Sequence, residues 1–384
     1  MKVLALMPSW PWPLDDGIRL RAFNFLRAVA SRHEVRLCCL GPVDADGGVR
    51  DMVKGCDVVQ PPRAVLRGGR DRRWQAFRLG HVWPNCPEMR QAVAGAMEQF
   101  RPDAVWATHL RIAEYIPETM AARTVLDLID DQVLRCVDGP EAWFTRTKRA
   151  LDFWIREFQA ARRCGSAVFT SRADASTFGK VCPWRRSVVI PNGVDLLEDG
   201  SCGDPVSRPY VLFVGNFGFV PNAVGAALLA KRICPILRQI APGLEVVLVG
   251  PNMSDEAKQA CGAAGIRVTG WVPSVRPYLK GCKVVLSPLT SGHGIKNKVL
   301  EAWAASKPVV AMSHGLAGLE EYAGQAAIVA RTVEEFAAAV VRLVDNHDLA
   351  ASMGSAGRKI VEDTFSWHKC SSDLTLEIER VAGR

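Results

Sequence analysis

Between Ser291 and Val310 the chain reads SGHGIKNKVLEAWAASKPVV. Two glycines, two lysines and a histidine precede Glu301, and the segment then turns apolar. Gly292 and Gly294 allow backbone amides to come close to an anion. Lys296 and Lys298 supply charge that neutralises a diphosphate. Glu301, in the first turns of the helix expected here, can accept two hydroxyls of the kind a ribose offers. After the strand-like KPVVAM comes a further glycine-bearing loop, Ser313 to Glu320 (SHGLAGLE), whose amides can face the same anion. Two neighbouring loops, one with paired Lys and a following Glu, point to a phosphorylated nucleoside. His293 and His314 sit on these loops as candidate sugar or phosphate contacts.

Other stretches carry weaker signals. Gly215-Asn216-Phe217-Gly218-Phe219 follows a strand-like run, and its glycines serve either a ligand or a tight turn. Pro8 to Gly17 (PSWPWPLDDG) is long for a strand-to-helix loop and rich in Trp and Pro. It reads either as the wall of an acceptor pocket, with Trp10, Trp12, Asp16 and Gly17 exposed to it, or as a lid on its own domain. Arg19 and Arg21 at the entrance to the next helix can meet an anion. Neither GxGxxG nor GxxxxGK[ST] occurs in this loop, which disfavours an ordinary dinucleotide or Walker site. Asp127, Asp130 and Asp131 cluster in LDLIDD, as loop and cap residues or as an acceptor or sugar contact. His109 follows DAVWAT as a polar residue at a strand end.

The elements that must hold these groups alternate. Lys2 to Met7, Glu34 to Leu40, Asp57 to Gln60, Asp103 to Ala107, Thr124 to Leu128, Ala167 to Thr170 and Ser187 to Ile190 read as strands. Helical periodicity runs over Ile18 to Ser31, Met89 to Gln99 and Thr147 to Arg163. Leu197 to Pro205 is polar, Gly/Pro-rich and aperiodic, a linker. A second series follows. Its strands are Tyr210 to Val214, Leu244 to Val249, Ile266 to Thr269, Val284 to Leu286, Pro308 to Met312 and Ala327 to Val329. Its helices lie within Ala223 to Ile240 and over Val299 to Ala305, Val333 to Leu343 and Leu349 to Val361. Strands separated by helix-length segments predict mostly parallel sheets covered on both faces. The expectation is an α/β chain of two Rossmann-like αβα domains facing each other across a cleft, with ligands beyond the carboxyl ends of the strands. The boundaries are 1–196, a linker over 197–208, 209–364, and a final helix over 365–384.

The totals fit. At 384 residues, 48% of them apolar, the chain fills two ordinary cores. It has no run of eighteen apolar residues, so no transmembrane span is expected, and its first residues read as a buried strand rather than a signal peptide. Twelve cysteines are scattered without CxxC or metal-ligand spacing, which fits reduced thiols in a cytoplasmic protein. The net charge of +8 gathers at Leu66 to Trp74, at Arg146, Lys148 and Arg149, and at Arg185 and Arg186. These patches read as solvated surface, or as attraction to anionic lipid or substrate on the inner face of a membrane. No nucleic-acid module is recognised.

GIKNKVLEAWAASKPVV with the following GLAGLE resembles the donor site of the retaining glycosyltransferase family 4, whose fold is called GT-B. VLFVGNFGFVPN is similar to the first glycine-rich loop of that family's C-terminal domain, VIPNGVD to the segment before its linker, and WVPSVRPYLKGCKVVLSP follows its order. The N-terminal PSWPWPLDDGIRLRAFNFLRAVASRHEV resembles a sub-branch active in bacterial exopolysaccharide and secondary-glycan assembly. The resemblance covers nearly the whole chain. It implies sugar transfer from a nucleotide diphosphate donor, with anomeric configuration kept, no cofactor and no obligatory metal.

Residue by residue, the resemblance puts Lys298 on the phosphate, Glu301 on the ribose and His109 near the transferred sugar. It brings Gly318-Leu319 to the phosphate or sugar, Val272 beside Trp271 to the base, and Gly17 to the acceptor side. Gly215, Asn216, His293, Gly294 and Lys296 complete the donor set; Trp10, Trp12, Asp16, Arg19 and Asp130 complete the acceptor set. The chain departs from the family pattern twice: His293 stands where a Glu is usual, and Asn216 where an Arg is. The resemblance also implies that the last helix crosses back onto domain one, with Trp367 either anchoring that crossing or packing inside domain two. The acceptor is a glycan, a lipid-linked sugar or a soluble aromatic molecule. A non-catalytic nucleotide-sugar-binding protein is the reading of another class.

Overall fold

The computed structural model describes residues 1–14, 17–43, 45–60, 86–130, 143–197, 206–292 and 294–383, with 143–146 and 149 described by backbone alone. Two compact units divide these: Met1–Gly193 with Trp367–Arg384, and Val194–Ser366. The chain therefore changes unit at Gly193/Val194 and again at Ser366/Trp367.

The first unit is built on a seven-stranded parallel sheet in the order β3-β2-β1-β4-β5-β6-β7. The strands are β1 Lys2–Met7, β2 Glu34–Leu40, β3 Gly55–Val59, β4 Ala104–Thr108, β5 Thr124–Ile129, β6 Ser166–Phe169 and β7 Arg186–Val189. The central strands β1, β4 and β5 are almost fully buried, because helices cover both faces. One face packs Phe25, Leu26 and Val29 of the Gly17–Arg32 helix with Trp367, Leu374 and Ile378 of the Trp367–Val381 helix. Trp367 meets the Phe25 ring edge-on at 5.9 Å. It also lies against Gly193, where a Cβ would come within 2.5 Å of its ring. The other face packs Met89 and Val93 of the Pro87–Phe100 helix with Ala160 and Ala161 of the Trp143–Ala161 helix.

The second unit has a six-stranded parallel sheet in the order β10-β9-β8-β11-β12-β13. Its strands are β8 Tyr210–Val214, β9 Glu245–Val249, β10 Ile266–Val268, β11 Val284–Ser287, β12 Val309–Met312 and β13 Ala327–Ala330. Each sheet reverses its order once, between β1 and β4 and between β8 and β11, which is the Rossmann arrangement. The stretch Val220–Ile240 is apolar and long enough to cross a membrane by composition. Here it is a core element: Leu229, Ile233 and Leu237 lie in the second unit's core, while Lys231 and Arg232 stay outside. It is not one regular helix, since Leu229–Ile233 forms a π turn just ahead of Pro235, which has no N–H to donate.

Helices over Arg172–Val181, Asp255–Ala263 and Arg276–Gly281 add to those expected from periodicity. The first two start at serine caps: Ser171 accepts from the Asp174 amide and Ser254 from the Ala257 amide. SRAD and SDEA are thus start signals that a search for apolar periodicity passes over.

Candidate functional site

The loops after β8, β11 and β12 leave the carboxyl ends of three adjacent strands, at the point where the second sheet reverses. Lys298 is the second residue of the Asn297–Ala304 helix that follows β11. Its Nζ donates to Asn222 Oδ1 at 2.6 Å and lies 4.5 Å from the centroid of the Phe213 ring. Asn222 is buried, and its Nδ2 donates to the carbonyl of Asn216 at 2.9 Å. The loop after β8 thus reaches the lysine after β11 through one amide side chain. Gly215 is what makes room, since a Cβ there would sit 2.8 Å from Asn222 Nδ2.

Lys298 and Glu301, one helical turn apart, are each half-buried. Burial pulls Lys298 down to about 7; the neighbouring charge of Lys296 lowers it further, and Glu301 works in the opposite direction. Burial likewise pushes Glu301 up to about 7, against the attraction of Lys298. Both groups are held in desolvated surroundings that favour their neutral forms, and either charge is restored by a partner of opposite polarity. A phosphate does this for the lysine, and hydroxyl donors do it for the carboxylate.

Lys296 is buried, and its Nζ donates back to the Gly292 carbonyl at 3.0 Å, so it braces its own loop. Gly292 and Gly294 take the positive φ values of 102° and 74° that favour glycine. Gly318 does the same at 78°, and a Cβ there would lie 3.1 Å from Ile295 Cα; the loops after β11 and β12 are therefore in contact. Leu319 needs correcting as a donor contact. Its side chain is fully buried and its amide donates to the Leu316 carbonyl at 2.9 Å, so neither is turned to a ligand. Asn216 Oδ1 accepts from the Gly218 amide and from Asn252 Nδ2, closing the first loop where a family member would carry a guanidinium. Trp271 is 70% exposed, with Val272 beside it packed on the second unit's core. His293 lies outside the described residues.

In the first unit, His109 follows β4 at φ 70° and is buried; its Nδ1 accepts from the Arg111 amide and its own amide donates to the Asp127 carbonyl. Trp10 needs correcting. It is 1% exposed in the core, its indole N–H donates to the Ala45 carbonyl, and no ring face is left for an acceptor. Trp12 leans on Phe23 and covers Gly47, so the Trp-rich loop closes largely on its own domain. Arg21 is also structural. It is 1% exposed, grips both Asp127 oxygens at 2.8 and 3.0 Å, and caps the Ile190 and Pro191 carbonyls. That pair removes Asp127 from any acceptor role. Gly17 opens its helix in an exposed position, Arg19 is half-buried, and Asp130 accepts from Thr170 Oγ1 at 3.1 Å. Asp16 and Asp131 lie outside the described residues. No group of three or more His, Cys, Asp or Glu suited to a metal occurs among the described residues.

Asn222, the last residue of VLFVGNFGFVPN, is not among the residues that the sequence marks as donor contacts. Its position just after Pro221 in a helix start was the available signal; its partner 76 residues away was not.

Comparison with solved structures decides the architecture. Sucrose-phosphate synthase from Thermosynechococcus elongatus aligns at a TM-score of 0.75 and 16% identity, over 99% of each chain. The fold is GT-B. WaaG, a glycosyltransferase involved in lipopolysaccharide biosynthesis, shares the GT-B fold at a TM-score of 0.68 and 15% identity, over 98% of this chain and 99% of that one. Anabaena HepE in complex with UDP does so at 0.67 and 16%, over 99% and 100%. Within the GT-B chain, residues 208–346, all in the second unit, match the family model described as glycosyl transferases group 1. A GDP-mannose-dependent alpha-(1-6)-phosphatidylinositol monomannoside mannosyltransferase, from two strains of Mycobacterium tuberculosis, is 29% identical over 229 residues. That alignment takes in 54% of this chain and 58% of the relative, so the chain spans well under two thirds of the length of the curated relatives it matches.

Proposed function

We propose that this chain is a retaining glycosyltransferase that moves a sugar from a nucleotide diphosphate donor to a hydroxyl acceptor in glycan assembly, without an obligatory metal. The observation that carries the reading is the pair Lys298 and Glu301, desolvated one turn apart on the same helix, with Lys298 tied through Asn222 to the glycine loop of a neighbouring strand. Lys298 takes the charge that develops on the leaving diphosphate, with the amides of the Gly292–Gly294 and Gly318 loops beside it. Glu301 takes the ribose hydroxyls. Departure of the phosphate on the face from which the acceptor attacks keeps the anomeric configuration, and the phosphate accepts the acceptor's proton. Catalysis is then mainly positioning. The family resemblance assigns His109 to the transferred sugar.

Support for the donor class comes from the glycosyltransferase group 1 match and from the relative that uses GDP-mannose. That relative's name gives its acceptor as a phosphatidylinositol monomannoside, and this supports a lipid-linked hydroxyl acceptor met in the cytoplasm. The burial of Trp10 counts against an aromatic acceptor stacked in the N-terminal loop.

The test is calorimetry against UDP-, GDP-, dTDP- and ADP-sugars, with and without EDTA. Saturable, EDTA-insensitive binding to one of them is expected, weakened about 10–100-fold in Lys298→Ala and in Glu301→Gln, each of which removes a charged hydrogen bond. His109→Ala should keep donor binding and lose turnover with an acceptor. Wild-type affinity in both donor-site variants would sink the assignment.

A further inference from the structure

The Trp143–Ala161 helix buries Glu157, Ala160 and Ala161 but leaves an apolar strip uncovered on another face. Leu151 is 55% exposed and Trp154 and Ile155 are each 41% exposed, at spacings of three and four that place them side by side. Phe158 continues the strip: its ring stacks on Trp154 with centroids 5.9 Å apart and meets Trp184 edge-on at 5.3 Å. Trp184, beyond the end of the next helix, is 52% exposed. Five large apolar side chains, two of them indoles, therefore form one continuous surface rather than scattered exposed residues.

The same helix borders a basic cavity of about 670 Å³, lined by Arg90, Arg156, Arg162 and Arg163 together with Glu114 and Glu118. Arg156 leaves the helix on one flank of the apolar strip, and Arg162 and Arg163 follow in the turn after its last residue. The Glu114 carbonyl accepts from Arg163 at 2.9 Å and from Arg90 at 3.2 Å, which fixes two of the guanidinium groups at the cavity wall. Arg90 also pairs with the Glu114 carboxylate at 3.5 Å and Arg163 with that of Glu118 at 3.8 Å, so the cavity wall keeps two arginines more than it has acids.

We propose that this face docks on an anionic phospholipid bilayer, with Leu151, Trp154, Ile155 and Trp184 at head-group depth and the arginine cavity receiving a lipid phosphate. Indoles are amphipathic and sit at the boundary between head groups and acyl chains. An in-plane helix with a shallow apolar face and a basic flank is the arrangement that binds such a surface. Guanidinium forks match phosphate oxygens in pairs. The attachment stands apart from the donor-site reading, since none of these residues belongs to that site.

Co-sedimentation of the full chain with vesicles tests it, comparing phosphatidylcholine alone with phosphatidylcholine containing phosphatidylglycerol, at low and high salt. Binding to the anionic vesicles that weakens with salt is expected. Leu151→Glu with Trp154→Glu should reduce it about tenfold or more. Trp184→Ala, off the helix, and Arg162→Glu, at the cavity, should each weaken it while circular dichroism and binding of the nucleotide sugar found by the calorimetric screen stay those of the wild type. Equal binding to both kinds of vesicle, or wild-type binding by the folded variants, overturns the proposal. So does a dimer in light scattering that Leu151→Glu dissolves while vesicle binding is unchanged, which would make the face an interface between copies.

Discussion

Asn222 and Lys298 show one contact positioning a group whose charge its buried surroundings set. The amide oxygen 2.6 Å from Nζ fixes the ammonium without neutralising it, in a place where burial already draws its pKa down to about 7. A bound diphosphate favours the charged lysine. Above pH 7, binding must therefore take up a proton, and donor affinity should fall by up to about tenfold per pH unit until the pKa of the complex is reached. Glu301 acts with the opposite sign. Hydroxyl donors favour its carboxylate, so below its raised pKa binding releases a proton and affinity falls with decreasing pH. Affinity should peak near neutrality, and calorimetry in buffers of different ionisation heat reads the proton balance on each side. Asn222→Ala should weaken binding about tenfold or more. Asn222→Asp should move the alkaline limb to higher pH, because a carboxylate beside Nζ raises the lysine's pKa. A purely structural Asn222 would leave that limb in place.

At the scale of elements, the site depends on strand ends held in register. Arg21, from the first turns of its helix, joins the end of β5 to the segment after β7 by gripping Asp127 and the Ile190 and Pro191 carbonyls. Its guanidinium also lies 4.4 Å from the Phe25 ring. A buried pair of this kind stabilises little against a well-packed apolar replacement but is costly to break. Arg21→Met should destabilise the first unit by about 3–5 kcal/mol, because Asp127 stays buried without its partner; adding Asp127→Leu should recover part of that. Urea unfolding followed by circular dichroism measures both. The sequence showed these elements well where apolar residues recur with a clear period: Tyr210–Val214 was placed to the residue, and most strands to within one or two. It was silent on Arg172–Val181, whose helix is announced by a serine cap rather than by an apolar stripe.

For the whole molecule, the chain's last helix completes a core that its first strand begins. Trp367 lies with Phe25 and Gly193, while Phe365, two residues earlier, belongs to the other unit's core. Trp367→Ala should cost about 3–5 kcal/mol and show as loss of the first unit's unfolding transition at lower temperature in calorimetry, with the second unit's transition unchanged.

The two βα series, the parallel sheets and the loops that carry the candidate donor residues are legible in the order of amino acids alone. These depend on periodicity, glycine placement and charge, all of which are local along the chain. The sequence also left Trp10, Arg21 and Leu319 looking like ligand contacts, because a residue's type and its loop do not say which way its side chain points. Only the tertiary structure turned Trp10 and Leu319 into the core, spent Arg21 on Asp127, and brought Asn222 to Lys298. Burial and hydrogen-bond partners come from segments far apart in sequence, brought together by strand order, and no local pattern encodes that order.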